Sequence, residues 1–84
     1  MFKENDIVIT PNEMPAIIVE VLIHSMSYVV DEMPHPSENE LKTMNTFASI
    51  ENTYSHEQLR IPTKDEQNRL SFLVKGGCTF PTVN

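Results

Sequence analysis

The clearest pattern of apolar and polar positions lies just after Pro15. Residues 16–24 are dense in β-branched side chains, and alternate positions of an extended chain point to opposite faces. One face would be wholly apolar and would consist of Ile17, Val19, Val21 and Ile23. The other face is only half apolar, because Ile18 and Leu22 share it with Glu20. The pattern predicts a strand with one core face and one partly covered face.

Shorter β-rich runs surround this strand. Residues 6–10 predict a first strand that ends at a Pro-Asn turn, and residues 26–30 predict a third strand. Residues 31–40 contain two prolines and four acids, which predicts a loop, and Ser37 with Glu40 fits a capping box that opens one helical turn. Residues 46–52 predict a fourth strand. Residues 59–61 predict a brief last strand that Pro62 ends.

The C-terminal part of the chain predicts a helix over residues 64–75. Thr63 and Glu66 form a capping box at its start, and the glycine pair at 76–77 stops it. At helical spacing the predicted core stripe consists of Leu70, Leu73 and Val74. Phe72 falls on the opposite side and is predicted to be exposed. The tail at 78–84 is either an edge strand through Phe80 or frayed.

Length and element order predict one mainly β domain. Eighty-four residues leave no room for two cores. The expected fold is a small barrel of four to five short antiparallel strands over residues 1–61, followed by a C-terminal α-helix at 63–75 and the tail at 78–84. The alternative is an α+β sheet with a packed helix.

The order of these elements resembles the Src-homology-3-like small β-barrels, including the KOW-type modules. The residues that carry the resemblance are Asp6-Ile7-Val8, Pro15-Ala16 leading into Ile17-Ile18-Val19-Glu20-Val21, Tyr28-Val29-Val30, and Ser55-Glu57-Leu59-Arg60. The resemblance covers residues 5–61 and implies a binding module without an active site. KOW-type loops carry a glycine before the second strand, whereas residues 11–15 contain none. This departure argues against transferring the RNA binding of some KOW modules.

Charge is distributed unevenly along the chain. Twelve acids face six bases, a net charge of −6, and residues 1–41 alone carry eight of the acids and one base. An acidic half repels phosphate backbones, so the sequence favours a basic or neutral protein partner over nucleic acid. No stretch is long and apolar enough for a membrane helix, and Cys78 is the single cysteine. These features predict a cytoplasmic protein with no membrane contact.

Catalytic and metal-binding patterns are weak, and no cofactor is predicted. Cys78 follows a helix C-terminus, where the helix dipole disfavours a thiolate. The acids and the imidazole that lie closest together in the sequence are Asp31, Glu32, His35 and Glu38. They occupy a proline-broken segment without EF-hand spacing, which favours a solvated loop over a metal site.

The sequence therefore predicts a non-enzymatic protein-binding module, such as the small regulators or inhibitors of larger host proteins that phages and mobile elements encode. The alternatives are an acidic mimic of nucleic acid and a KOW-like nucleic-acid-binding module. The predicted partner-binding residues are Asp31, Glu32, Glu38, Glu40, Arg60 and Phe72. Arg60 also fits a structural ion pair with a nearby acid. An exposed Phe72 and a free tail strand would be compatible with a homodimer.

Overall fold

The sheet is built around a three-residue strand that is buried on both faces. The computed structural model describes residues 1–32 and 50–82, and in it strand β1 spans Ile7–Ile9. Its three side chains are at most 2% exposed. Such a strand must be apolar at every position, since neither face meets water. This explains why the short run Ile-Val-Ile shows no alternation.

Three further strands complete the sheet. Strand β2 spans Pro15–Leu22, β3 spans Ser27–Glu32 and β4 spans Ile50–Ser55, in the antiparallel order β1-β2-β3-β4. Single 3-10 turns follow β2 at Ile23–Ser25 and β4 at His56–Gln58. Two short helices come last, α1 at Lys64–Arg69 and α2 at Ser71–Lys75. The described residues thus form a small, mainly β domain with two short helices.

The sheet separates two apolar layers. On one side, Tyr28, Val30 and Ile18 pack with Val8, Ala16, Phe2 and Leu59. On the other side, Leu70 and Leu73 of the helical segment pack on Ile7 and Ile9, with Ile17, Phe72 and Phe80 at the margin. The helices therefore cover β1 and the adjoining end of β2.

A register shift in β2 changes the predicted faces of this strand. The pairing with β3 is regular up to Ile18 and resumes at Glu20, so Val19 is an extra residue. An inserted residue reverses the alternation beyond it. Val21 consequently packs in the layer of Ile18, and Ile23 is 68% exposed. The prediction that Ile17, Val19, Val21 and Ile23 form one core face is therefore wrong.

The sheet does not close into the predicted small barrel, although the mainly β class and the packed helical segment are confirmed. The outer edge of β1 is shared by two unrelated segments. Ile9 forms an antiparallel bridge with Arg60, with N–O distances of 2.9 and 3.1 Å, and the Ile7 N–H donates to the Thr79 carbonyl at 2.8 Å. The predicted strand at 59–61 is thereby reduced to a single bridge, because Pro62 follows it and Thr79 occupies the next position along the edge.

The C-terminal helix is divided into two. The capping box at Thr63 and Glu66 forms as predicted. The chain leaves helical geometry at Leu70 (φ −102°, ψ 11°), which rotates the next turn relative to α1. Phe72 is consequently half-buried against the helix-side layer, whereas Val74 is 45% exposed. The predicted core stripe is right for Leu70 and Leu73 and wrong for Val74, and the predicted exposure of Phe72 is wrong.

Other boundaries differ more modestly from prediction. Strand β3 continues through Asp31 and Glu32, which were expected in a loop. The tail contributes one parallel bridge, from Thr79 to Asp6. The predicted helical turn after Ser37 and the beginning of the predicted fourth strand lie outside the described residues. Within the described ranges, neither helix has the length and apolar character needed to cross a membrane.

Two isoleucines test this assignment of the core. Replacing Ile18, which is fully buried, with alanine should lower the free energy of unfolding by about 2–5 kcal/mol through lost burial and a residual cavity. The matched change Ile23→Ala should cost about 0.5 kcal/mol or less, because that side chain is already in water. Urea unfolding measures both. Equal losses would contradict the register shift at Val19.

Candidate functional site

A row of directly paired residues crosses the helix-side face of the sheet. Ile7 pairs with Ile17, Ile17 pairs with Asp31, and Asp31 pairs with Glu51. Side chains of directly opposed antiparallel residues lie on the same face. The row therefore passes from the apolar region beneath the helices to two neighbouring carboxylates.

Glu20 joins the same face because of the irregularity at Val19. Its register partner is Val29, which is two positions before Asp31 on β3 and so shares the side of Asp31. Glu20 and Glu51 are exposed, and Asp31 is half-buried. We call Glu20, Asp31 and Glu51 the acidic face. Each of its three residues comes from a different strand of the sheet.

The acidic face is electrostatically unbalanced. Opposed like charges on neighbouring strands destabilise a sheet. The ion pairs found within residues 1–32 and 50–82 both belong to Arg60 and lie elsewhere. In addition, Asp31 Oδ1 is buried and has no hydrogen-bond donor among the described residues. A buried oxygen without a donor costs free energy.

Glu32 lies on the opposite face from Asp31. It is 6% exposed, and its carboxylate accepts a hydrogen bond from the Tyr54 hydroxyl. This bond, together with burial and the adjacent negative charge, raises the pKa of Tyr54 to about 12. Asp31 and Glu32 were both predicted to contact a partner, but they lie on opposite faces of the sheet. Asp31 belongs to the acidic face, and Glu32 forms part of the internal packing.

Arg60 connects three segments of the chain. Its guanidinium donates to both carboxylate oxygens of Glu66 at 2.7 and 2.9 Å, and to Glu13 Oε2 at 2.6 Å. The hydrogen bonds from the Arg60 guanidinium, aided by the backbone N–H of Thr63, lower the pKa of Glu66 to about 2. The hydrogen bonds to Glu66 and then Glu13 raise the pKa of Arg60 further above its already high value. The structural ion pair expected for Arg60 is confirmed.

The remaining predicted residues are placed as follows. Phe72 packs against the helix-side layer, and Glu38 and Glu40 lie outside the described residues. Burial raises the pKa of the Cys78 thiol, so at neutral pH it is protonated. Within the described ranges, no three His, Cys, Asp or Glu side chains are close enough to hold a metal ion.

Sequence reasoning missed Glu20 and Glu51 as candidate site residues. Simple alternation places Glu20 on the side of Ile18, and only the extra residue in β2 moves it to the side of Asp31. Glu51 belongs to the predicted fourth strand, but its neighbour on β3 depends on the pairing register. Neither fact follows from periodicity alone.

The Arg60–Glu66 pair predicts a loss of stability in acid. The folded-state pKa of Glu66 is lowered from 4.5 to about 2, so this contribution is complete above pH 4.5 and disappears as the pH falls towards 2. Glu66→Gln should remove this part of the pH dependence and lower stability at neutral pH. Asp65→Asn, an exposed neighbour in the same helix, is the control. Urea unfolding at several pH values measures the free energy of unfolding. It should fall in parallel towards acid pH for wild type and Asp65→Asn, and should fall less for Glu66→Gln.

The Tyr54–Glu32 hydrogen bond predicts an effect at high pH. Because the folded-state pKa of Tyr54 is raised from 10.0 to about 12, the bond stabilises the fold below pH 10 and this contribution is lost as the pH rises towards 12. Glu32→Gln removes the carboxylate and should return the Tyr54 titration towards 10. Phenolate absorbance, with Tyr54→Phe to assign the transition, measures the shift. An unchanged titration would contradict the bond.

Comparisons of the chain with protein-family models, with curated proteins and with solved structures found no match. The geometry of the described residues therefore carries the functional interpretation.

Proposed function

We propose that this protein is a small binding module that docks a basic segment of another protein on its acidic face. The observation that carries the proposal is the placement of Glu20, Asp31 and Glu51 on one side of the sheet, on three adjacent strands. Two of these carboxylates are exposed. The proposed role is regulation or inhibition of a larger protein through this contact.

The spacing of the acidic face suits paired cations. Opposed residues such as Asp31 and Glu51 have Cβ atoms about 5 Å apart. Residues three or four positions apart on a helix have nearly the same separation, about 5–6 Å. A helical segment with Lys or Arg at such positions would place one cation against each carboxylate. The strands fix the backbone positions of the acids, and the exposed glutamate side chains lose rotamer freedom on binding.

The internal imbalance of the acidic face also supports a cationic partner. An Arg or Lys beside Asp31 and Glu51 would relieve the repulsion between these two carboxylates. Hydrogen bonds between ionised groups are roughly twice as strong as neutral ones, and Arg can bind a carboxylate through two parallel bonds. The exposed carboxylates of Glu20 and Glu51 would mainly accelerate association and make it sensitive to salt.

The order of elements supports the proposed relation to the Src-homology-3-like small barrels. Four antiparallel strands lead into the 3-10 turn at His56–Gln58, and Arg60 then returns to bridge Ile9. We infer a partly closed form of this architecture, in which the final strand has shrunk to one bridge. Proteins of this group serve as binding modules, in keeping with the proposed role.

An acidic mimic of nucleic acid is the second candidate, because three adjacent strands place these three acids on one side of the sheet. A mimic competes with DNA or RNA for its partner, whereas a module that binds any basic segment does not require that partner to bind nucleic acid. Direct nucleic-acid binding is disfavoured, since the acidic face repels phosphates.

A charge-matched pair of triple variants tests the proposal. E20Q/D31N/E51Q neutralises the acidic face, and E4Q/D65N/E57Q neutralises three exposed acids elsewhere. Both change the net charge from −6 to −3. A partner captured by the wild-type chain and then purified should lose affinity by at least about tenfold with the first triple and much less with the second. Affinity should also fall as salt increases.

Two results would contradict the proposal. Equal losses with both triples would show that net charge, and not the acidic face, governs binding. Unchanged affinity with E20Q/D31N/E51Q would remove the acidic face from the interface. Displacement of the partner by DNA or RNA would favour the mimic over the general module.

A further inference from the structure

A cavity of about 500 Å³ lies away from the acidic face. It is bounded by the N-terminal segment, the 3-10 turn after β4 and residues 79–82 of the tail. Its apolar walls include Phe2, Ile61 and Phe80, and its polar lining includes Lys3, Asp6 and His56. This volume is within the range of small-molecule sites, which combine apolar walls with a few oriented polar groups.

The imidazole of His56 is held in a defined orientation. Its ring packs on Phe2 with centroids 5.1 Å apart and on Tyr28 at 5.8 Å. Its Nδ1 lies 3.0 Å from the Tyr28 hydroxyl, which itself accepts a hydrogen bond from the Phe2 backbone N–H at 3.2 Å. The hydroxyl hydrogen is thus available for Nδ1. When the hydroxyl donates to Nδ1, the ring hydrogen of His56 lies on Nε2.

His56 lines the cavity, and in this arrangement its ring carries one donor, Nε2–H, that Tyr28 does not occupy. With Nδ1 occupied by Tyr28, Nε2–H is the group of the ring that remains for a ligand, and no acceptor for it is found within residues 1–32 and 50–82. A half-buried N–H in such a position favours an oxygen acceptor on the ligand.

The carboxylate of Asp6 is already bonded within the protein. Asp6 is 2% exposed, and both its oxygens already accept hydrogen bonds: Oδ2 from the Lys3 N–H at 2.9 Å and Oδ1 from the Thr79 hydroxyl at 3.0 Å. Asp6 fastens the N-terminal segment to the tail and leaves little charged surface facing the cavity. The exposed Lys3 side chain, in contrast, supplies a cation at the lining.

We propose that this cavity binds a carboxylate attached to an apolar body. One carboxylate oxygen accepts from His56 Nε2–H, the Lys3 ammonium neutralises the charge, and the apolar body contacts Phe2, Ile61 and Phe80. A phosphate dianion fits less well, because the whole chain carries a net charge of −6 and repels a dianion more strongly than a carboxylate. The carboxylate can belong to a free small acid or to the C-terminus of a peptide.

Nuclear magnetic resonance titration of the ¹⁵N-labelled full chain tests the site. The probes are 3-phenylpropionate, its neutral amide, and acetyl-Ala-Phe with a free or an amidated C-terminus. At least one free acid should shift His56 Nε2 and the neighbouring backbone signals with saturation in the millimolar range or tighter, and its amide should bind at least about threefold more weakly. Binding of 3-phenylpropionate would indicate that the ligand is a free small acid. Binding of the dipeptide alone would indicate that the ligand is the C-terminus of a peptide.

Matched variants locate the binding on the protein. Lys3→Gln should weaken binding about threefold, as expected for an exposed ion pair, while Lys64→Gln, another exposed lysine, should not change it. Thr82→Trp should block the cavity from an exposed position of its lining, and Thr53→Trp, on the exposed part of β4, should not. Neither lysine nor either threonine belongs to the apolar layers, so all four variants should fold.

The site is refuted if acids and amides bind equally, if Lys64→Gln weakens binding as much as Lys3→Gln, or if Thr82→Trp leaves binding intact. Saturating shifts that map outside the lining, or no saturable shift with any probe, would also refute it. None of these outcomes bears on the acidic face, whose residues lie outside the cavity lining.

Discussion

The burial of β1 on both faces and its hydrogen bonding along both edges are the constraint on which the rest of the structure depends. Strand β2 occupies one edge of Ile7–Ile9, while Arg60 and Thr79 occupy the other. The strand is too short to stabilise itself, so elements from three regions of the chain must meet around it. The side chains of β1 contribute to both apolar layers, so packing around this strand buries both layers. Burial of apolar surface is the largest favourable term in folding.

Arg60 shows how a surface charge supports this arrangement. Its backbone completes the edge of β1, and its side chain joins Glu13, in the turn before β2, to Glu66 at the start of α1. Glu13 adopts a left-handed conformation (φ 63°) that glycine would tolerate more easily. A glutamate thus occupies a position that glycine would tolerate more easily, and its carboxylate is bound by Arg60.

The two proposed sites are distinct in place and in chemistry. The acidic face is an open surface formed by strands, where salt and solvent weaken each contact and several carboxylates must act together. The cavity beside His56 combines apolar side chains with several polar groups, so a small number of oriented contacts can select a ligand. A module with both features would combine a macromolecular contact with a small-molecule or peptide-terminus site. Either can fail without affecting the other.

The sequence by itself determined the local features: the strands around Ile7, Ile18 and Val30, the capping box at Thr63, and the excess of acids in the first half of the chain. These depend on neighbouring residues, whose periodicity and hydrogen-bonding capacity can be read directly. The tertiary structure alone decided that the sheet stays open, that Glu20 and Glu51 join Asp31, that Glu32 turns inward, and that Phe72 is half-buried. These outcomes follow from one inserted residue in β2, the continuation of β3 through Glu32, one helix break at Leu70, and the choice of partner along an edge. Pairing register is set by contacts between segments far apart in sequence, so periodicity within one segment does not encode it.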